Sequence, residues 1–223
     1  MSHEGTRFRL TPMRTEDFVK AVGGGDFELR ERVEEKIRRG MAEPVQVGGA
    51  IRMHQPDEIE RRCALLRRLV DEGLEHTAVA DADYEHYTAA ALALAKEFAQ
   101  RRTDVPLRSD GAPIEKLLAL QQDLMGRRSG NLPAMFGVLV DGRPLHRPRP
   151  REFDPLLGGH RIEARGASFG FLTRDELYDL LELLENDAII GAAAQRKDTF
   201  EGGLLADLDD IDQASLGLLV TWD

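Results

Sequence analysis

An α/β or α+β fold is predicted by three observations. Helical periodicity dominates the first 130 residues, where about five helices can be placed. Short apolar runs of strand length gather in the second half, at 135–140, 167–171 and 216–222. Between the last two stands a helix entry with its own stop-and-start chemistry, Gly170-Phe171-Leu172-Thr173-Arg174-Asp175-Glu176-Leu177. The expected architecture is a mostly helical first half packed with a small sheet from the second half, the C-terminal strand lying inside that sheet. A single domain over 1–223 is expected, helical over 1–130 and mixed over 131–223, because the polar break Pro106–Gly111 is too short to isolate two bodies.

The entry at 170–177 carries the most information. Thr173 and Glu176 have capping-box spacing, with the threonine oxygen accepting from a free helix amide and the glutamate reaching back to the cap's own N–H. Leu172 and Leu177 stand where a hydrophobic staple fixes the approach of the chain. Leu177, Leu180, Leu181 and Leu184 then mark one helix face.

The other elements follow in order. After a polar leader, Thr15 caps a short helix bearing Phe18, Val19 and Val22, ended by Gly23-Gly24-Gly25. Those glycines lack the lysine and hydroxyl of a phosphate loop and the third glycine of a dinucleotide loop, so they read as a turn. Asp26 caps a helix to about Arg39 with Leu29, Val33 and Ile37 on one line and Gly40 at its stop. Glu28–Arg32, Glu34–Arg38 and Glu35–Arg39 are i,i+4 pairs on its solvated side. A short strand is placed at Val45–Val47, and a third helix from Pro56 to Glu72, with Gly73 as its stop and Ile59, Cys63, Leu66 and Val70 buried. The fourth helix spans about 82–101 with Tyr84, Tyr87, Ala91, Leu94, Ala95 and Phe98 inward. The fifth carries Ile114, Leu117, Leu118, Gln121, Leu124 and Met125.

Met135–Val140 then reads as a strand, stopped by Asp141-Gly142. Ala188–Ala194 is a strand or a helical piece, and Glu201-Gly202-Gly203 is a break before a short helix with Leu204, Leu208 and Ile211 inward. Asp207, Asp209, Asp210 and Asp212 surround the rest of it, without the order of a calcium loop. Leu216–Asp223 is an apolar strand, of the kind paired inside a sheet.

Composition narrows the function. The net charge of −10 disfavours non-specific nucleic-acid binding and suits a basic partner. A nucleic-acid role would need the basic segment to form one positive face with Arg127 and Arg128. No apolar run approaches the roughly 20 residues that span a bilayer, so no membrane partner is expected. One cysteine, Cys63, permits neither an intramolecular disulfide nor a thiolate metal cluster, and the N-terminus has no signal-peptide pattern. A cytoplasmic protein is expected. Cys63 follows Arg61 and Arg62, which favour a thiolate, but a cysteine on a core stripe reads as a small hydrophobe.

Two clusters are candidates for chemistry. His76, Asp81, Asp83 and His86 gather at the start of the fourth helix, yet they supply one carboxylate-x-x-His step where helical metal sites use two. No metal, cofactor or catalytic residue is assigned. The second cluster is the proline-spaced basic segment, whose Arg143, His146, Arg147, Arg149 and Arg151 form the candidate binding site. Arginine there suits a phosphate or an acidic partner. The segment is equally suited to lie against the acidic C-terminal part of its own chain, and this or a solvated course is the preferred reading.

The order of the second half resembles the YfbM-like family, small uncharacterised bacterial α/β proteins and their actinobacterial relatives. The resemblance rests on Gly142-Arg143-Pro144-Leu145 leading through prolines to Phe153, then Gly170-Phe171-Leu172-Thr173-x-x-Glu176-Leu177, and on Val22-Gly23-Gly24-Gly25-Asp26-x-x-Leu29 near the start. Asp154 stands after Phe153 where proline is usual in those relatives. The resemblance implies a small sheet with flanking helices and no catalytic residue. The leading expectation is therefore a non-enzymatic protein-binding adaptor, regulator or immunity-type inhibitor with an acidic surface. The alternative is a small-molecule or phosphate-binding enzyme centred on Arg143–Arg151 and His146, approached by His86 or His160.

Overall fold

A computed structural model describes residues 7–47, 50–74, 78–100, 107–126, 132–141, 169–194, 196 and 198–222. In chain order the first elements are β1 (Phe8–Met13), α1 (Thr15–Ala21), α2 (Phe27–Ala42), β2 (Val45–Val47), β3 (Ala50–Arg52), α3 (Pro56–Glu72) and α4 (Tyr84–Ala95). Then come α5 (Ile114–Gly126), α6 (Leu132–Asp141), β4 (Phe169–Leu172), α7 (Arg174–Asn186), α8 (Ile190–Ala194), α9 (Phe200–Gln213) and β5 (Gly217–Trp222). This is an α+β fold, with helices predominating. No helix among the described residues is long and apolar enough to cross a membrane. They fall into two compact units, one holding residues up to Glu16 and from Ala99 onward, the other running from Asp17 to Phe98.

The first unit is organised on a three-stranded antiparallel sheet of order β1-β5-β4. The C-terminal strand β5 is the central one, and Gly217–Val220 is buried throughout, which is why it reads as an unbroken apolar run. Leu10 pairs with Val220, and Leu172 with Leu218. These side chains join Phe8 and the buried faces of α5, α6, α7 and α9 in one core. The third strand, β1, comes from the stretch that the sequence presented as a polar leader. Its alternation of buried Phe8 and Leu10 with exposed Arg9 is short, and charged residues on its other face mask it.

The outer edge of β1 is covered. Gln100 N–H donates to Pro12 O at 2.8 Å, and at the other end Phe8 N–H donates to Ala112 O and Gly111 N–H to Phe8 O. Such pairing removes the free edge that would otherwise invite another strand.

The opening of α7 forms as its sequence dictates. Thr173 N–H donates to Glu176 Oε2 at 2.9 Å, and Glu176 N–H reaches Thr173 Oγ1 at 3.4 Å. Leu172 and Leu177 are both wholly buried in the core. Two neighbouring expectations fail. Met135–Val140 lies in the helix α6, not in a strand, and Met135, Phe136, Val138, Leu139 and Val140 are all buried. A helix enclosed on nearly every side shows no period, so its apolar run imitates a strand. The Gly202-Gly203 pair lies within the first turn of α9, where Thr199 Oγ1 accepts from Gly202 N–H at 3.1 Å. A Cβ on Gly203 would meet Arg108 Cβ at 3.6 Å, an ordinary contact, so the chain packed there does not demand a glycine. Ala188–Ala194, left open by periodicity, contains the short helix α8. In α5, Met125 is exposed and Leu120 takes its place inside.

The second unit packs α2 against α3 and α3 against α4. Asp26 caps α2 by accepting from Leu29 N–H at 3.0 Å. That helix continues through Gly40 to Ala42, burying Met41 as a further turn of the same face. Helix α3 has the expected limits, with Gly73 left-handed at its end. Helix α4 is shorter than its periodicity suggests: a 3₁₀ turn at Asp81–Asp83 precedes it and the chain leaves helical geometry after Ala95. Phe98 nevertheless reaches the apolar interior, its ring 6.1 Å from that of Phe18. Strands β2 and β3 form a two-stranded hairpin in which Gln46 pairs with Ile51.

Candidate functional site

The five residues of the basic candidate site, Arg143, His146, Arg147, Arg149 and Arg151, lie outside the described residues, as do His76 and His160. The remaining candidates can be placed. Asp83 is held by Arg61, whose Nε lies 3.3 Å from its Oδ1, so the carboxylate ties the start of α4 to α3. His86 is half-buried, and its Nδ1 is enclosed without a hydrogen-bond partner. Arg62 Nε on the facing helix is enclosed in the same way. Burial lowers the Arg62 pKa, and the charges of Glu85 and Glu58 oppose that shift. Among the described residues no group of three histidine, cysteine, aspartate or glutamate side chains is placed to hold a metal ion.

Cys63 is completely buried on α3. Removal from water pushes its thiol pKa up, with Arg38 pulling against that shift. The arginines beside it in sequence point elsewhere on the helix, Arg61 to Asp83.

Asp207, one of the four aspartates around the apolar face of α9, is 2% exposed. Its Oδ2 accepts from Ser109 N–H at 2.7 Å and from Ser109 O–H at 2.6 Å, and Oδ1 accepts from Arg108 N–H at 2.9 Å. A buried carboxylate with its lone pairs so occupied is satisfied as a structural clamp. Its chemistry is that of a loop anchor.

The electrostatic organisation is the stronger functional signal. In the second unit many acids are held in ion pairs. Arg67 grips Glu34 with Nε–Oε1 at 2.8 Å and Nη2–Oε2 at 2.7 Å. Arg38 pairs with Glu60 and more distantly with Glu34, Arg30 with Asp71, and Arg32 and Lys36 share Glu97. The expected Glu28–Arg32 pair gives way to Arg32–Glu97, because a glutamate arriving beside α4 offers a less exposed partner.

The first unit contrasts with this. Residues 169–223 contain thirteen acidic and three basic side chains, so they account for the whole net charge of −10 and leave residues 1–168 neutral. On α7 the exposed face presents Asp175, Asp179, Glu182 and Glu185 around Tyr178, which is itself 56% exposed. None of these four acids has an ion-pair partner among the described residues. The helix's buried face is Leu177, Leu180, Leu181 and Leu184, so the acidic stripe is turned away from the core by the same 3.6-residue period. This segregation is a matter of counting charges along the chain. The sequence showed acidic residues near the C-terminus, but only pairing in the structure separates neutralised acids from free ones.

No family model matches the chain, and no curated protein and no solved structure matches it either.

Proposed function

We propose that this is a cytoplasmic, non-enzymatic bacterial protein that acts by binding another protein, as an adaptor, regulator or immunity-type inhibitor, and that its partner is basic. The observation that carries this reading is the exposed face of α7, whose four acids have no ion-pair partner among the described residues. Free charges of one sign on a rigid helix steer an oppositely charged surface toward it and set orientation before close contact. Tyr178 adds a ring able to pack against an arginine in the middle of that stripe.

The test is affinity capture from native cells at low and high salt. It compares the natural chain with a variant carrying Asp175→Lys, Asp179→Lys, Glu182→Lys and Glu185→Lys, and with a control, Glu31→Lys on the exposed side of α2. A stoichiometric basic protein retained by the natural chain and by the control, but lost from the α7 variant and at high salt, supports the reading. Absence of any stoichiometric partner, or a partner indifferent to the α7 reversal, overturns it.

A further inference from the structure

We draw no further inference here: the strongest candidate, the pair of enclosed nitrogens Arg62 Nε and His86 Nδ1 on the facing helices α3 and α4, carries nothing because nothing in the structure shows what they would hold, and the glutamates Glu58 and Glu85 already act on the Arg62 guanidinium.

Discussion

Asp207 on α9 and Ser109 in the turn before α5 are joined by two hydrogen bonds to one carboxylate oxygen, across 98 positions of sequence. The adjoining amide of Arg108 occupies the other oxygen. Asp110, next in the chain, accepts from Leu10 N–H of β1 at 3.1 Å. The 108–110 turn thus connects α9 to the sheet edge through polar contacts, buried at Ser109, in a place where an apolar residue at 207 would leave three N–H or O–H groups without partners.

Asp207→Asn is expected to lose about 3 kcal/mol of stability, because the amide NH₂ would replace one of the two accepting oxygens and so face the backbone N–H of Arg108 or of Ser109. Ser109→Ala removes the hydroxyl bond alone and is expected to cost about 1–2 kcal/mol. Urea unfolding of both single variants and of the double variant checks this. The two effects should fall clearly short of additive, since both act on the same oxygen. Additive losses would show that the clamp is not the unit described.

Gly217 is the next test. It starts β5, where a Cβ would stand 2.1 Å from Thr15 Oγ1 and 2.5 Å from Leu172 O. Thr15 is fully buried and Leu172 O belongs to the paired strand β4, so neither can withdraw easily. Gly217→Ala is expected to destabilise the protein by about 3 kcal/mol, at the upper end of ordinary overpacking. Thr15→Ala added to it should recover only part of the loss, because the backbone clash with Leu172 O remains. Full recovery would show that the threonine alone enforces glycine.

These two sites also show what the sequence could and could not disclose. The α7 entry was legible because its signals are local: Thr173, Glu176, Leu172 and Leu177 lie within six residues of one another. The apolar C-terminal strand was legible because a central strand buries both faces. Residues 8–13 were not, since their strand character depends on pairing with residues more than two hundred positions away. Residues 135–140 mislead for the opposite reason: a helix enclosed on nearly every side has too little polar face to give it a period. Asp207 stood among Asp209, Asp210 and Asp212 with nothing in its own neighbourhood to distinguish it. Its burial is decided by Ser109, which only the fold brings near. The acidic face of α7 was half visible, as composition, while the pairing that neutralises acids elsewhere was not.

Cys63 gives a prediction about reactivity. Its side chain has no exposed surface, and burial raises the thiol pKa, so both access and thiolate fraction are reduced in the folded protein. A disulfide-exchange thiol reagent at mildly alkaline pH should label the native protein at least about 100-fold more slowly than the urea-unfolded chain, where the thiol regains ordinary access and pKa. Rapid labelling of the native protein would mean that α3 opens readily or that the neighbouring arginines activate the thiol after all. Cys63→Ala should cost about 1–2 kcal/mol through the small cavity it leaves.

The last prediction concerns acid. Glu58 accepts from Gln55 N–H at 2.9 Å, closing the first turn of α3, and Arg52 Nη2 lies 2.6 Å from its other oxygen. The amide bond foremost, with the nearby arginine and His54, holds its pKa below the ordinary glutamate range. Glu60 is lowered in the same direction, chiefly by its hydrogen bond from Arg38. A carboxylate whose folded pKa lies below its unfolded value stabilises the fold while ionised. As pH falls through the ordinary range near about 4.3, the unfolded chain takes up its proton first, and the stabilising contribution is withdrawn until the folded pKa is passed. The second unit should therefore lose stability on acidification, and Glu58→Gln should be less stable than the natural chain at neutral pH. The gap between them should narrow as pH falls, because the natural chain surrenders a charge that the variant never had. Glu58 and Glu60 both lie at the surface, so the effect should also shrink with added salt. Urea midpoints measured from about pH 7 down to about pH 3, with and without salt, decide the matter. A gap that stays constant over that range would mean that the glutamate acts through its hydrogen-bonding shape alone and that its charge contributes nothing to the fold.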